Sequence, residues 1–423
     1  MDIGGNGMAI SQTDRDILCD LAKQVREISE MPEQKEKIRL WKACNDLKPE
    51  RAMVYADPQN GWREIDNAWI KLVCEDPSAR GFEFGLRRRI IRHEHIPDDF
   101  PTLNTLNVDV RISGSGYDDY GFSLKTTSPN QQGGAYHIEP VIKNIDDLSK
   151  LHFRPIKVDH EATNRSFEVT QELFGDILKV RKVGKSFWRY GLSRVLIHMR
   201  GLDNMMLDMY DNPELLKSLM EFLRDDFLKE LEILKQENAI SLNNSPDGVN
   251  GSGGIAYNSY LPEYDSDITP DYKWCRCWGE SQETVGVGPK QFDEFVLQYQ
   301  LPLMSHFGLV DYGCCEPLDQ KLDILIKRVP HLRWVAVSPW SDRRICAEKI
   351  DGRYVYVYKP NPSLICSPKP DWDAVGNEVR ETLEITNGSP THVIMKDTNT
   401  FCNQPERITK WAEIATKIAK EMA

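Results

Sequence analysis

No run of 18 consecutive apolar residues occurs in this 423-residue chain, so the sequence signature of a membrane-spanning helix is missing. The opening MDIGGNGMAISQTDRDILCD lacks the basic start and apolar centre of a secretory signal. An excess of basic residues is missing too: 53 Lys and Arg face 65 Asp and Glu, a formal charge of −12. A nucleic-acid backbone requires a basic footprint, so that class of partner is excluded. The run Arg87, Arg88, Arg89 reads as a solvated helix face. No strand-like run is followed by G-x-G-x-x-G or G-x-x-x-x-G-K-[ST], which leaves nucleotide readings without a phosphate cradle. There is no internal repeat and no low-complexity linker. Ten cysteines without an export signal point to reduced thiols in a cytoplasmic protein, where metal binding or catalysis is the reason to look closer.

Hydrophobic residues make up 40% of the chain, enough for a large core, and they fall into alternating strand and helix patterns. Residues 301–342, LPLMSHFGLVDYGCCEPLDQKLDILIKRVPHLRWVAVSPWSD, hold one full cycle. Residues 309–313 form a short strand signal. Pro317 and Asp319 open a helix whose Leu322, Leu325, Ile326 and Val329 recur at i, i+3, i+4, i+7. Pro330 ends it, and residues 334–337, WVAV, are apolar throughout, as in a strand covered on both faces. Further strand signals lie at 51–57, 106–112, 186–191, 240–243, 274–278, 354–358 and 391–395. Helices are expected between them, one over 81–92 and another over 167–183.

Eight or nine strands alternating with helices favour an α/β chain closed as a (β/α)8 TIM barrel over an open doubly wound sheet. Residues 1–48, with Ile17, Leu21, Val25 and Ile28 at helical spacing, form an N-terminal helical extension, and the barrel occupies 49–423. Residues 113–165 are rich in Gly, Ser, Asp and Pro and carry Tyr117, Tyr120, Tyr136 and His137. They read as an insertion in the first half of the barrel, either a lid or a surface excursion.

In a parallel barrel the loops after the strands build the active site. Cys314, Cys315 and Glu316 follow one strand there, and a thiolate is a soft zinc ligand. Glu280 ends the preceding strand, where a carboxylate serves as ligand or general base. Cys275 and Cys277 lie within a strand and read as core. His306 precedes its strand and belongs at the opposite end. Cys366, Asp397 and Cys402 follow the last strands and are open as further ligands. Trp188, Tyr190, Trp278 and Trp340 stand near strand ends, where a flat organic substrate would stack on them.

Several segments together resemble the uroporphyrinogen decarboxylase superfamily, in its corrinoid-dependent methyltransferase branch of O-demethylase type. They are LWKACNDLKPERAMVYAD, RGLDNMMLDMYDNPELLKSLM, WGESQETVGVGPKQFDEFVLQYQLPLM, YGCCEPLDQKLD, AVSPWSD, YKPNPSL and IMKDTNTFCNQPERI. The resemblance runs from about residue 40 to the C-terminus and implies a (β/α)8 barrel. In the methanogen members the equivalent strand ends in H-x-C-G and, with a distant second cysteine, holds zinc. Cys314 matches that cysteine, whereas Tyr312 replaces the histidine and KDTNT at 396–400 replaces the second cysteine. Glu280 and Cys315 are the substitute ligands.

The implied activity is methyl transfer from a methoxylated, aromatic substrate to cobalt of a corrinoid on a partner protein, with zinc at Cys314, Glu280 and Cys315 polarising the leaving oxygen. The chain carries no D-x-H-x-x-G corrinoid module. A homodimer is an assembly the reading allows. The alternative is a cofactor-free decarboxylase of a porphyrinogen-like polycarboxylate. A carbohydrate-active barrel would instead pair Glu280 with Glu316.

Overall fold

The computed structural model describes residues 10–116, 120–122, 126–127, 137–249, 251 and 253–423. Seven strands form one parallel sheet: β1 (Met53–Ala56), β2 (Arg189–Tyr190), β3 (Arg276–Gly279), β4 (Leu309–Tyr312), β5 (Leu332–Val337), β6 (Val355–Tyr358) and β7 (Thr391–Met395). Their spatial order is β1-β7-β6-β5-β4-β3-β2. The first strand thus pairs with the last, and consecutive strands are neighbours elsewhere, with helices in the crossovers. The chain is a mixed α/β protein with a parallel central sheet. The expected eight-stranded ring is not seen among the described residues: the ladder ends at β1 on one side and at β2 on the other.

Two other expected strands flank that seam. Thr105–Asp109 pairs in parallel with Lys179–Val183, and Ile240 makes a single parallel bridge to Lys185. The helix expected over 167–183 is instead His160–Phe174 followed by a strand. In Lys179–Val183, KVRKV, the two valines are three apart, a spacing that reads as helix; pairing with Thr105–Asp109 makes it a strand.

Alternation along the sheet divides its faces. Val54, Val310, Val335, Tyr356 and Val393 lie in cores shared with the crossover helices. Met53, Tyr55, Leu309, Trp334, Val355, Val357 and Ile394 face the other way, against Trp41, Cys44 and the segment from Ile255 to Leu261. Val335, Ala336, Val337, Val355 and Val357 are all fully buried, each valine contributing about 1.5–3 kcal/mol. That is why β5 and β6 show no polar alternation.

α1 (Gln12–Glu30) begins where the Ser11 hydroxyl accepts from Asp14 N. Its stripe Leu18, Leu21, Val25 and Ile28 packs against Phe82, Leu86 and Ile90 of the later helix Pro77–His95. α2 (Pro32–Asn45) buries Trp41 and Cys44 under the sheet. Helix Pro77–His95, α3, is capped by Asp76, which accepts from Ser78 N and Ala79 N. The arginine run on α3 is not the solvated face expected. Arg87 pairs with Glu83, Arg88 lies over the Trp62 ring at 4.0 Å, and Arg89 donates to the carbonyls of Leu103 and Thr105.

Of the 113–165 stretch, Tyr120 is buried and its hydroxyl donates to Asp226 at 3.1 Å. Tyr117, Tyr136 and the His137 side chain lie outside the described residues.

Candidate active site

Because the sheet is parallel, the residues just past its strands collect along one rim. Six of them matter: Asp57 after β1, Glu280 after β3, Cys314 and Cys315 after β4, Lys359 after β6, and Asp397 after β7. Gly313 makes the turn that carries the thiols there. Its φ is +105°, and a Cβ would stand 2.5 Å from Leu318 Cδ1, so only glycine fits without strain.

The two sulfur atoms lie 3.6 Å apart. Cys315 Sγ also stands 3.3 Å from Asp397 Oδ2, so its one proton is shared between Cys314 and Asp397, and the Lys359 ammonium approaches Cys315 Sγ at 3.9 Å. Lys359 itself is buried. A chain of proton donors and acceptors thus runs from the β4 loop to the β7 loop. Beside it, Lys396 pairs with Asp57 at 3.4 Å, and Asp397 N donates to Gln59 Oε1.

Burial and hydrogen bonding set the charges. A hydrogen bond from Cys315, helped by Lys359 and opposed by burial, brings the Cys314 thiol down to about 6. The same bond, with burial, pushes Cys315 up. Cys314 is therefore the ionised member of the pair and Cys315 the proton holder. Burial pulls the Lys359 ammonium down, but Cys314, Cys315 and Asp397 outweigh it and leave it raised. Glu316 is buried beneath the loop, accepting from Cys314 N at 3.0 Å and Ser281 N at 2.9 Å. Burial, with Cys314 and Glu280 adding, pushes its carboxyl up to about 7.

The expected zinc centre meets a poor donor set. Glu280 Oε1 accepts from Arg189 Nε at 3.0 Å and Nη2 at 2.7 Å, and Oε2 from Gln282 N. That carboxylate is already held by a guanidinium. Cys315 has an ammonium for a neighbour, where a second cation would be repelled. Among the described residues no three His, Cys, Asp or Glu side chains are grouped to hold a metal ion. Cys314, Cys315 and Glu280 as they stand do not fit zinc.

The four expected aromatics separate. Trp188 and Tyr190 are buried in the core under the crossover helices, with no ring face open to a substrate. Trp278 turns the other way, anchors the β4 loop by donating from Nε1 to Gly313 O at 2.8 Å, and lies under the Arg189 guanidinium at 4.8 Å. Trp340 stands on the rim, 68% exposed. Cys275 and Cys277 pack in the core. Cys366 and Cys402 sit together away from the thiol pair, Cys402 Sγ bonding Cys366 O.

Lys359 is the residue that residue-by-residue reading missed. Its signal was present: a lysine directly following the apolar run VYVY, with Pro360 next, sits where a strand leaves the sheet. Asp397 was legible only as one of three candidate ligands after the last strands, with Cys366 and Cys402.

No family model matches the chain, and no curated protein matches it in sequence. Among solved structures, a methyltransferase from Methanosarcina mazei is similar with a TM-score of 0.48 at 12% identity, over 90% of this chain and 97% of that one.

Proposed function

We propose that this chain transfers a methyl group from a methoxylated aromatic compound to the cobalt of a corrinoid carried by a partner protein. The observation that carries the reading is the cluster of Cys314, Cys315, Asp397 and Lys359, drawn from the ends of three strands onto one rim. The sequence segments that resemble corrinoid-dependent methyltransferases run through that same rim. The accompanying fold reading is a barrel whose seam, between β1 and β2, is filled by Thr105–Asp109 and the bridge at Ile240.

The partner's corrinoid, when bound, would supply the nucleophile for the methyl carbon. The protein must then stabilise the oxygen left behind as the C–O bond breaks, and preorganised charge in a dry site is the strongest means available. Lys359 holds a buried positive charge at the rim and delivers a proton to that oxygen, leaving as the neutral amine. Cys314 and Asp397, with Cys315 between them, keep the ammonium charged beforehand. Arg189 fixes Glu280, and Trp278 pins the β4 loop, so the cluster keeps its geometry. Exposed Trp340 offers a ring face at the mouth.

The test is to incubate the purified chain with cobalt(I) cobalamin and a panel of methoxylated benzenes, following methylcobalamin by absorbance. Methylation by the wild type and its loss in Lys359→Met is the expected result. A folded wild type that demethylates none of the panel overturns the reading.

A further inference from the structure

The seam between the sheet's two edges holds a second polar site, remote in sequence from the rim thiols. A cavity of about 250 Å³ opens between β1 and α3, lined by Arg88, Arg89 and Arg92 with the rings of Tyr55, Trp62 and Phe100. Asp247 is the one carboxylate in that lining, and it also borders a neighbouring cavity of about 210 Å³ that contains Arg181 and Arg276.

The arginines differ in what they have left to offer. Arg92 is taken by Asp98 and the Ala56 carbonyl, and lies over Phe100 at 4.3 Å. Arg89 is taken by two backbone carbonyls, at 2.8 and 2.9 Å. Arg88 lies over the Trp62 ring at 4.0 Å, and its buried Nε, turned toward Asp66, makes no hydrogen bond among the described residues, so the Nη1–Nη2 edge is the fork left to a ligand. Its ion pair is with Asp66 Oδ1 at 3.4 Å, outside the cavity lining. Asp66 Oδ1 likewise lacks a hydrogen bond. A guanidinium stacked on a flat ring presents its N–H fork edge-on, the geometry that takes a carboxylate by two parallel bonds. Gly85 borders the same space, and a Cβ built there meets nothing within 4 Å.

We propose that this cavity binds an aromatic carboxylate, with the Arg88 fork on the carboxyl group and the ring against the wall formed by Pro101 and the Tyr55–Phe100 stack, whose ring centroids are 5.4 Å apart. Tyr55, Trp62, Phe100 and Pro101 give the lining flat apolar surface beside the arginines, which suits a planar acid better than a tetrahedral anion. This site goes beyond the methyl-transfer reading and does not depend on it, because binding is read out with no methyl group in play.

Calorimetric titration of the full chain with benzoate tests it. Benzoate binding by the wild type is expected, with benzamide, the neutral analogue, at least about tenfold weaker. Arg88→Gln and Arg88→Lys should each weaken benzoate by about tenfold or more, since neither retains the fork. Gly85→Leu should do the same by filling the space, whereas Arg87→Gln, whose residue lies outside the lining, should stay within about twofold. Thermal unfolding of each variant establishes that it folds, and Gly85→Leu decides the matter if Arg88→Gln does not. No benzoate binding, equal binding of benzamide, unchanged binding by the Arg88 variants, or tighter binding of inorganic phosphate each overturns the proposal.

Discussion

The rim cluster and the arginine cavity both gather ionised groups away from water, yet they are built in opposite ways. On the rim, charges answer one another: a thiolate, a second thiol, a carboxylate and an ammonium within direct reach. In the cavity, the Arg88 and Arg92 guanidinium groups rest on aromatic faces, Arg89 and Arg92 bond backbone carbonyls, and the acids that pair with Arg88 and Arg92, Asp66 and Asp98, stand outside the lining. Mutual pairing tunes proton affinity, which suits chemistry. Stacking leaves the cation an open edge, which suits binding. What a buried cation can do is set by its counter-groups more than by its own identity.

The sharpest break of that contrast is Lys359→Met. It removes the positive member of a self-paired cluster, so methyl transfer should fall by about 10²–10³-fold. The loss of a buried partner should also cost about 3–5 kcal/mol in chemical unfolding. Unchanged activity would detach Lys359 from the rim chemistry.

Gly313→Ala comes next. At φ +105° with Leu318 Cδ1 in the way, it should cost about 1–3 kcal/mol and displace both thiols. A denaturation midpoint equal to wild type would show that the turn has slack.

The third is a pH effect. Cys314 is depressed to about 6, so its thiolate contribution to stability is complete above the ordinary 9.0 and is lost as pH falls through 6. Glu316 runs the other way: raised to about 7, it contributes below the ordinary 4.5 and loses that contribution as pH rises through 7. Alkylation of the wild type by iodoacetamide should therefore inflect near pH 6 at Cys314, located by peptide mass, and the inflection should move upward in Lys359→Met. An inflection near 9 in the wild type would remove the thiolate.

The smallest effect belongs to the other region. Arg88→Gln should alter folding stability by no more than about 0.5 kcal/mol, because the buried Nε forms no hydrogen bond among the described residues and the Asp66 pair is loosely aligned. A loss as large as that of Lys359→Met would mean the two regions are built alike after all.

Much of the sheet was readable because fully covered strands carry their burial in composition. Leu332–Val337, Val355–Tyr358 and Thr391–Met395 each announce themselves as apolar runs between turn signals. Helix stripes were equally plain, as in Leu322, Leu325 and Val329, all buried. That helix begins only at Leu322, later than Pro317 and Asp319 suggested, because residues before it form turns, with Lys321 N and Leu322 N both donating to Leu318 O. The strand Lys179–Val183 was misread as helix, its partner Thr105–Asp109 lying some seventy residues earlier in the chain.

By itself, then, the sequence determined an alternating α/β chain and a thiol pair at a strand end, since periodicity and strand polarity are local. Only the tertiary structure decided that Glu280 answers to Arg189, that Trp188 and Tyr190 lie in the core under the crossover helices, and that Lys359 and Asp397 meet Cys315. Those pairings join residues 44 to 91 positions apart, and no local pattern encodes which distant strand end will be a neighbour. The same holds for α3, whose arginines became a cavity wall because Trp62 and Phe100 fold up against them.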